Sequence, residues 1–263
     1  MDSETWLYKT SPALAGKRVH RLGLAANYGI REDGVRAGMD RGVNFFLCTM
    51  RDKEMRRPLR EAMKQRRESV LVAGYASLGW FGWGVRRGAE KLLKDLGTDY
   101  IDVYLLGWLG VTSAWNSTTE REMLHLRESG KVRALGVSIH DRPRAGNLAE
   151  TSPLDLLMIR YNAAHPGAER DIFPHVKGNK PAVLAYTATA WRRLLKKPKA
   201  WDGPVMTAGD CYRFQLSSPH VDLAITGPRD RAELEQNLDA LEKGPLDPDE
   251  AKWMRAFGRA VHG

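Results

Sequence analysis

Three side chains in this sequence are of the types that move protons near neutral pH and follow or close short apolar runs: Tyr28, Tyr75 and His140. A Tyr–His combination suits general acid chemistry, because imidazole titrates near neutrality while a free phenol keeps its proton to about pH 10. Taken singly, each is more often a hydrogen-bonded structural residue. Cys48 becomes a nucleophile only beside a base or cation. None is identifiable along the chain, so a buried structural thiol is the simpler reading. Arg160, Tyr161 and Asn162, with His165 close behind, could hold an anionic group, though Asn162 equally suits the cap of a turn. WRRLLKKPKAW at Trp191–Trp201 is the best basic and aromatic cluster of the chain. It is short and no groove-reading element accompanies it, so a pyrophosphate suits it better than nucleic acid. Trp80, Phe81 and Trp83 share one loop, and Trp108 and Trp115 another. Together with Arg160 they wall an apolar pocket for a flat ligand, or else they plug a mouth with no need to open.

The elements that must position these residues are legible as eight short apolar runs. They are Val19–Ala25, Gly42–Cys48, Ser69–Tyr75, Tyr100–Leu106, Val132–Ser138, Leu154–Arg160, Ala182–Thr187 and Val221–Thr226. Helix-length segments separate most of them: Asp33–Arg41, Asp52–Arg67 with Met55, Leu59 and Met63 at helical spacing, about Val85–Leu96, and about Ser113–Ser129. The turn signal GNKP precedes the seventh run, and LDPDE opens a last helix near Pro248. Strands separated by helices pair in parallel. Eight of them in one chain of this length predict a closed (β/α)8 TIM barrel, a single domain over residues 1–263, rather than an open sheet. No G-x-G-x-x-G follows the first strand, where a doubly wound dinucleotide-binding sheet would place its phosphate turn. Tyr28, Tyr75 and His140 then face one mouth.

The chain has 263 residues, 43% hydrophobic and 28% charged, the balance of an ordinary folded protein. Its net charge of +9 and pI near 9.6 are compatible with nucleic acid, a phosphate-bearing ligand or an anionic surface. The basic residues scatter over many helices. Asp52–Arg67, the richest of them, has no interleaved aromatics, which favours a solvated exterior and no nucleic-acid partner. No secretory leader opens the chain, and no apolar run approaches the roughly 20 residues of a membrane span. Two cysteines without metal-ligand spacing indicate no metal and a reduced, cytoplasmic setting. A monomer or weak oligomer is expected.

GVNFF, KLLKDLGTDYIDVYLL, SGKVRALGVS and ITGPRDRAELEQNL stand in the order and at the spacing of the aldo-keto reductase superfamily, which the chain resembles from about Arg18 to Leu241. The resemblance implies a (β/α)8 barrel that binds extended NADP(H) at its C-terminal mouth and reduces carbonyl groups. It also implies a proton relay of Tyr, Lys, Asp and His, and here the four positions hold Asp52, Tyr75, Leu47 and Gly107. On the same resemblance Ser138 contacts the nicotinamide amide, with Ile139 where Asn is usual and Met158 where Gln is usual. Tyr186 stacks on the nicotinamide, and Thr187 lies near the pyrophosphate. Gly227, Arg229, Arg231, Gln236 and Asn237 hold the adenine and its 2′-phosphate; the arginines equally suit a surface helix cap. The expectation is an NADP(H)-binding oxidoreductase with a non-standard active site, Tyr75 or His140 giving the proton. Two alternatives stay open. One is a catalytically silent barrel, a pseudoenzyme, binding a small apolar or aromatic ligand or a partner protein. The other is a lyase, isomerase or hydrolase that reuses the barrel.

Overall fold

Each expected strand is a run whose side chains are buried on both faces, as a parallel sheet covered by helices requires. The computed structural model describes residues 3–49, 52–76, 78–178 and 181–262; Asn179 and Lys180 of the GNKP turn lie outside them. A helix α1 (Ser3–Leu7) leads into strands β1 (Tyr8–Thr10) and β2 (Arg18–His20). There follow β3 (Leu22–Ala25), α2 (Glu32–Asp40), β4 (Phe45–Cys48), α3 (Lys53–Arg66), β5 (Leu71–Tyr75), α4 (Gly82–Leu96), β6 (Ile101–Leu106) and α5 (Ser117–Glu128). Next come β7 (Val132–Ile139), α6 (Arg142–Thr151), β8 (Leu156–Arg160), α7 (Ala168–Asp171) and β9 (Ala182–Tyr186). The chain continues with α8 (Ala208–Leu216), β10 (Leu223–Thr226), α9 (Arg231–Leu241) and α10 (Pro248–His262). β3 to β10 form a closed barrel, every neighbouring pair parallel, with β10 returning to β3 at Ala224↔Leu22. The architecture is a single (β/α)8 barrel, as expected.

The first strand differs from expectation. Val19–Ala25 is divided at Arg21: β2 pairs backwards with β1, and only Leu22–Ala25 joins the barrel. The division has a packing reason. Ala13, Leu14 and Val19 join the inner apolar layer, so the hairpin closes the end of the barrel opposite the mouth. The Arg21 guanidinium, buried, donates to the carbonyls of Trp6, Leu216, Val221 and Asp222, satisfying backbone groups that the strands leave open there.

Two further polar clamps fix elements that matter for function. Asp102 on β6 is fully buried; it pairs with Lys17 at 2.8 Å and Arg67 at 2.9 Å and accepts from the Val72 amide at 2.9 Å. Arg213 on α8 holds Glu250 through two bonds of 2.6 and 2.8 Å, and Arg193 donates to the Val261 carbonyl, so α10 is pinned at both ends. Its last turn reaches the rim of the mouth. Among the described residues no helix is long and apolar enough to cross a membrane.

Candidate active site

Parallel strands in a barrel deliver their C-terminal ends to one face, and the loops that follow them meet there. Tyr75 ends β5, Ser138 lies near the end of β7 and His140 just past it, Arg160 ends β8 and Tyr186 ends β9. The inner layer beneath them is apolar: Leu47, Ala73, Leu105, Met158, Leu184 and Ile225 fill it, with Tyr75 and Tyr186 packed on top. Tyr75 donates its phenolic proton to the Met158 sulfur at 2.7 Å, a weak acceptor. Burial and the neighbouring Tyr186 push its pKa above the ordinary phenol value, against a smaller opposing contribution from Ser138.

Ser138 is the polar neighbour of both phenols. The Tyr186 hydroxyl is buried without a well-formed hydrogen bond, and so is Nε2 of His140. These two rings lie 5.6 Å apart, and Trp108 meets the other side of His140 edge-on at 5.4 Å. Burial, then the Arg160 charge, holds the His140 pKa below its ordinary 6.5. Burial raises the Tyr186 pKa above the ordinary phenol value, against smaller opposing contributions from Trp108, Ser138 and Arg160. The mouth therefore offers two neutral phenols and a neutral imidazole, with two buried polar atoms short of a well-formed hydrogen bond, over an apolar floor. Such an arrangement donates and accepts hydrogen bonds to a carbonyl or hydroxyl. No group in it is a strong acid at neutral pH.

Gly107, just past β6, owes its identity to Tyr75. A Cβ there would overlap the edge of the Tyr75 ring, with Cγ at 3.1 Å and two ring atoms closer still. Leu47 stands in the apolar layer. Asp52 is buried but turned to its own loop, accepting from the Thr49 amide at 2.9 Å and the Thr49 hydroxyl at 3.3 Å. Burial raises its carboxyl pKa. Cys48 is buried with its thiol pushed well up by desolvation, the state of an inert cysteine.

Tyr28 lies across from this group, 63% exposed, its ring against Gly227 where any side chain would collide with it. Of the loop tryptophans, Trp80, Trp83 and Trp108 are exposed, Trp83 stacking on Phe81 at 6.0 Å, while Trp115 packs on the core. Among the described ring contacts, Trp108 is the one of these that touches the His140 cluster. Tyr161 and Asn162 turn inwards. The Tyr161 hydroxyl donates to Glu169, and Asn162 donates to the Thr187 carbonyl and accepts from the Ala164 amide. Asn162 thus caps its turn.

At the expected adenine end, Arg229 pairs with Glu233 and Arg231 with Glu235, each one helical turn away. Both arginines are exposed, and solvent screens such surface pairs, so a phosphate competes readily for them. Asn237 is buried and donates to Thr226, which also accepts from Tyr212; Gln236 is exposed on α9. Thr187 has a left-handed backbone, φ 55°, and its hydroxyl turns back to the Tyr186 carbonyl. A nicotinamide dinucleotide is therefore matched by an aromatic ring at Tyr186, a serine at Ser138 and releasable arginines. Ile139 and Met158 supply no amide partners for its carboxamide. Among the described residues no group of three His, Cys, Asp or Glu side chains could hold a metal.

A closed eight-stranded barrel with titratable groups at the C-terminal mouth defines a class of barrel enzyme folds, and comparison with known proteins narrows it. Residues 82–207 match the Aldo/keto reductase family. The chain is 28% identical over 167 residues to aldo-keto reductase YhdN of Bacillus subtilis, covering 58% of this chain and 50% of that one. It is 28% identical over 168 residues to methylglyoxal reductase YeaE of Escherichia coli, covering 59% and 56%. The matches thus span about half the length of these relatives. In solved structures, aldo-keto reductase AKR11C1 from Bacillus halodurans superposes with a TM-score of 0.78 at 17% identity, over 96% of both chains. An aldo/keto reductase from Klebsiella pneumoniae in complex with NADP and acetate gives 0.76 at 22%, over 95% of both. The chain is thus similar to the aldo-keto reductases in sequence over residues 82–207 and in fold over nearly its whole length.

Proposed function

We propose that this protein is a cytoplasmic, NADP(H)-binding oxidoreductase whose mouth holds a carbonyl ligand by neutral hydrogen bonds instead of a charged proton relay. The observation that carries this reading is the pair of buried polar atoms without a well-formed hydrogen bond, His140 Nε2 and the Tyr186 hydroxyl, beside Tyr75 at the barrel mouth. A buried polar atom lacking a hydrogen bond costs about 1–3 kcal/mol, which a ligand oxygen would recover. Tyr186, Ser138, Arg229 and Arg231 would hold the dinucleotide, which supplies hydride when bound. Tyr75 keeps its proton throughout the physiological range because burial raises its pKa. It leaves only a weak sulfur acceptor when it turns to a ligand oxygen. His140 stays neutral under the influence of burial and Arg160. With Leu47, Asp52, Tyr75 and Gly107 at the relay positions, a positioned general acid of matched pKa is missing, and such a group contributes about 10²–10⁴ in rate. Slow turnover is the expected consequence.

Titration with NADPH, followed by its fluorescence, tests the cofactor half: saturable binding is expected, and none at millimolar cofactor overturns it. Tyr75→Phe and His140→Ala should each lower turnover of a small aldehyde at least tenfold; unchanged turnover in both removes the proposed roles. A second reading, a silent barrel binding an apolar or aromatic ligand, is favoured by the exposed Trp80, Phe81, Trp83 and Trp108. Measurable reduction of any aldehyde by the purified protein excludes it.

A further inference from the structure

We propose that the protein carries a phosphate-binding site on the rim of the barrel, formed by Arg142, His165, Arg259 and His262 around a cavity of about 450 Å³. These residues come from three separate parts of the chain. Arg142 opens α6, His165 follows β8, and Arg259 and His262 form the last turn of α10. The cavity walls include none of Gly227, Arg229, Arg231 or Gln236, so the site is separate from the expected adenine end. The proposal does not rest on the reading of the mouth.

Charge around the cavity is one-sided. Arg142, Arg170 and Arg259 line it, and Arg160 and Arg193 lie close enough to depress the His165 pKa. Asp171 is the carboxylate paired with this group, bridging Arg142 at 2.9 Å and Arg170 at 2.7 Å. Among the described residues Arg259 has no carboxylate within ion-pair distance. Basic residues on the last turn of a helix complement its dipole, which accounts for Arg259 and His262 alone. It does not account for Arg142 or His165, which converge on the same space from elsewhere.

The site also shows local construction. The Arg142 guanidinium lies against the Gly167 backbone, and a Cβ at that position would collide with it. Asn162, itself fully buried, holds Nδ1 of His165 at 3.0 Å, leaving Nε2 to take up a proton. The His165 and His262 rings meet edge to face at 5.1 Å. Burial, then Arg160, His262, Arg193 and Arg142, keeps His165 near pKa 4, so the free site resists further positive charge. A bound anion would reverse that balance. One planar carboxylate is satisfied by a single guanidinium fork, whereas cations arriving from three directions match the divergent oxygens of a tetrahedral phosphate. The cavity exceeds a bare phosphate in volume, with room for an organic remainder.

Inorganic phosphate titrated calorimetrically into the full chain, with ionic strength held constant by chloride, should bind saturably. The double variant Arg259→Ala/His262→Ala, both exposed positions whose loss does not threaten folding, should weaken binding about tenfold or more. Arg121→Ala, an exposed arginine on α5, should change it less than about twofold. The C2 proton resonance of His165 should report a raised pKa when phosphate is added. Glycerol phosphate binding more tightly than phosphate assigns the rest of the cavity to an ester; equal binding assigns the site to free phosphate. Absence of saturable binding, equal losses in the Arg121 variant, or an unmoved His165 resonance would overturn the proposal. Citrate binding as well as phosphate would overturn the phosphate assignment.

Discussion

Gly107 and Tyr75 offer a test in which one substitution changes sign with its background. In the native chain, Gly107→Ala places a methyl group inside the edge of the Tyr75 ring, whose Cγ would lie 3.1 Å away. The ring cannot yield cheaply, because it is packed on the inner apolar layer and its hydroxyl is tied to Met158. Forcing extra volume into such a position costs about 1–3 kcal/mol. The backbone of Gly107 is not left-handed, so the same substitution stiffens the unfolded chain and contributes about 0.4–1 kcal/mol of stability once the clash is gone. The expected result is a loss of about 1–2 kcal/mol in the native background, or about 2–8 °C in Tm for a chain of this size. In a Tyr75→Ala background it becomes a small gain, a coupling of about 2 kcal/mol. Urea melts of the four proteins by circular dichroism measure it. Equal effects of Gly107→Ala in both backgrounds, within about 0.5 kcal/mol, would refute the interlock between the two residues.

Three other outcomes follow from the described geometry. Burial depresses His20 from 6.5 to about 4, so the folded state binds fewer protons than the unfolded chain. Its contribution is complete above about pH 6.5 and is lost as pH falls towards 4, up to roughly 3 kcal/mol; urea midpoints across that range should fall, and His20→Gln should flatten the fall. Asp102→Ala leaves Lys17 and Arg67 without their shared buried carboxylate, at about 3–5 kcal/mol, read as a lowered urea midpoint; a shift under about 1 kcal/mol would show that water enters the cluster. Leu47→Asp, which introduces a carboxylate into an apolar layer lacking any lysine, should destabilise by several kcal/mol at pH 7 and recover partly in acid as the carboxyl protonates; a pH-independent effect would place position 47 in contact with solvent.

The barrel was legible in the sequence because each strand is buried on two faces and therefore reads as a short apolar run between polar turns. The hairpin was not. Three residues at Tyr8–Thr10 carry no alternation, and their pairing with Arg18–His20 depends on Ala13 and Leu14 finding the end of the barrel. The start of α4 was hidden for a related reason: Gly82 and Gly84 look like loop residues, yet Gly84 packs against Leu78 and Gly82 against Thr118, close approaches that a side chain would block. Asn116 and Thr119 form a capping box that starts α5 at Ser117, four residues later than periodicity alone suggests. Tyr75, Ser138, His140 and Tyr186 could be placed together because strand ends share a face. Arg142, Arg259 and His262 could not, since no local spacing links residues more than a hundred positions apart.

The mouth is best understood as a set of choices that exclude their alternatives together. Leu47 continues the apolar inner layer up to the rim, which removes the place for a carboxylate. With no carboxylate there, a lysine at position 75 would be a buried cation without a partner, and a phenol is not. The phenol's ring then occupies the volume that any side chain at position 107 would need, and its hydroxyl rests on Met158. Each residue is thus compatible with the others and costly beside a single charged replacement. Replacing Leu47, Tyr75 or Gly107 alone with an ionisable residue should lower stability without raising turnover, and only simultaneous replacement could build a charged relay. On this account the neutral mouth is a stable packing solution, and the chemistry proposed for it works through hydrogen bonds from Tyr75, His140 and Tyr186.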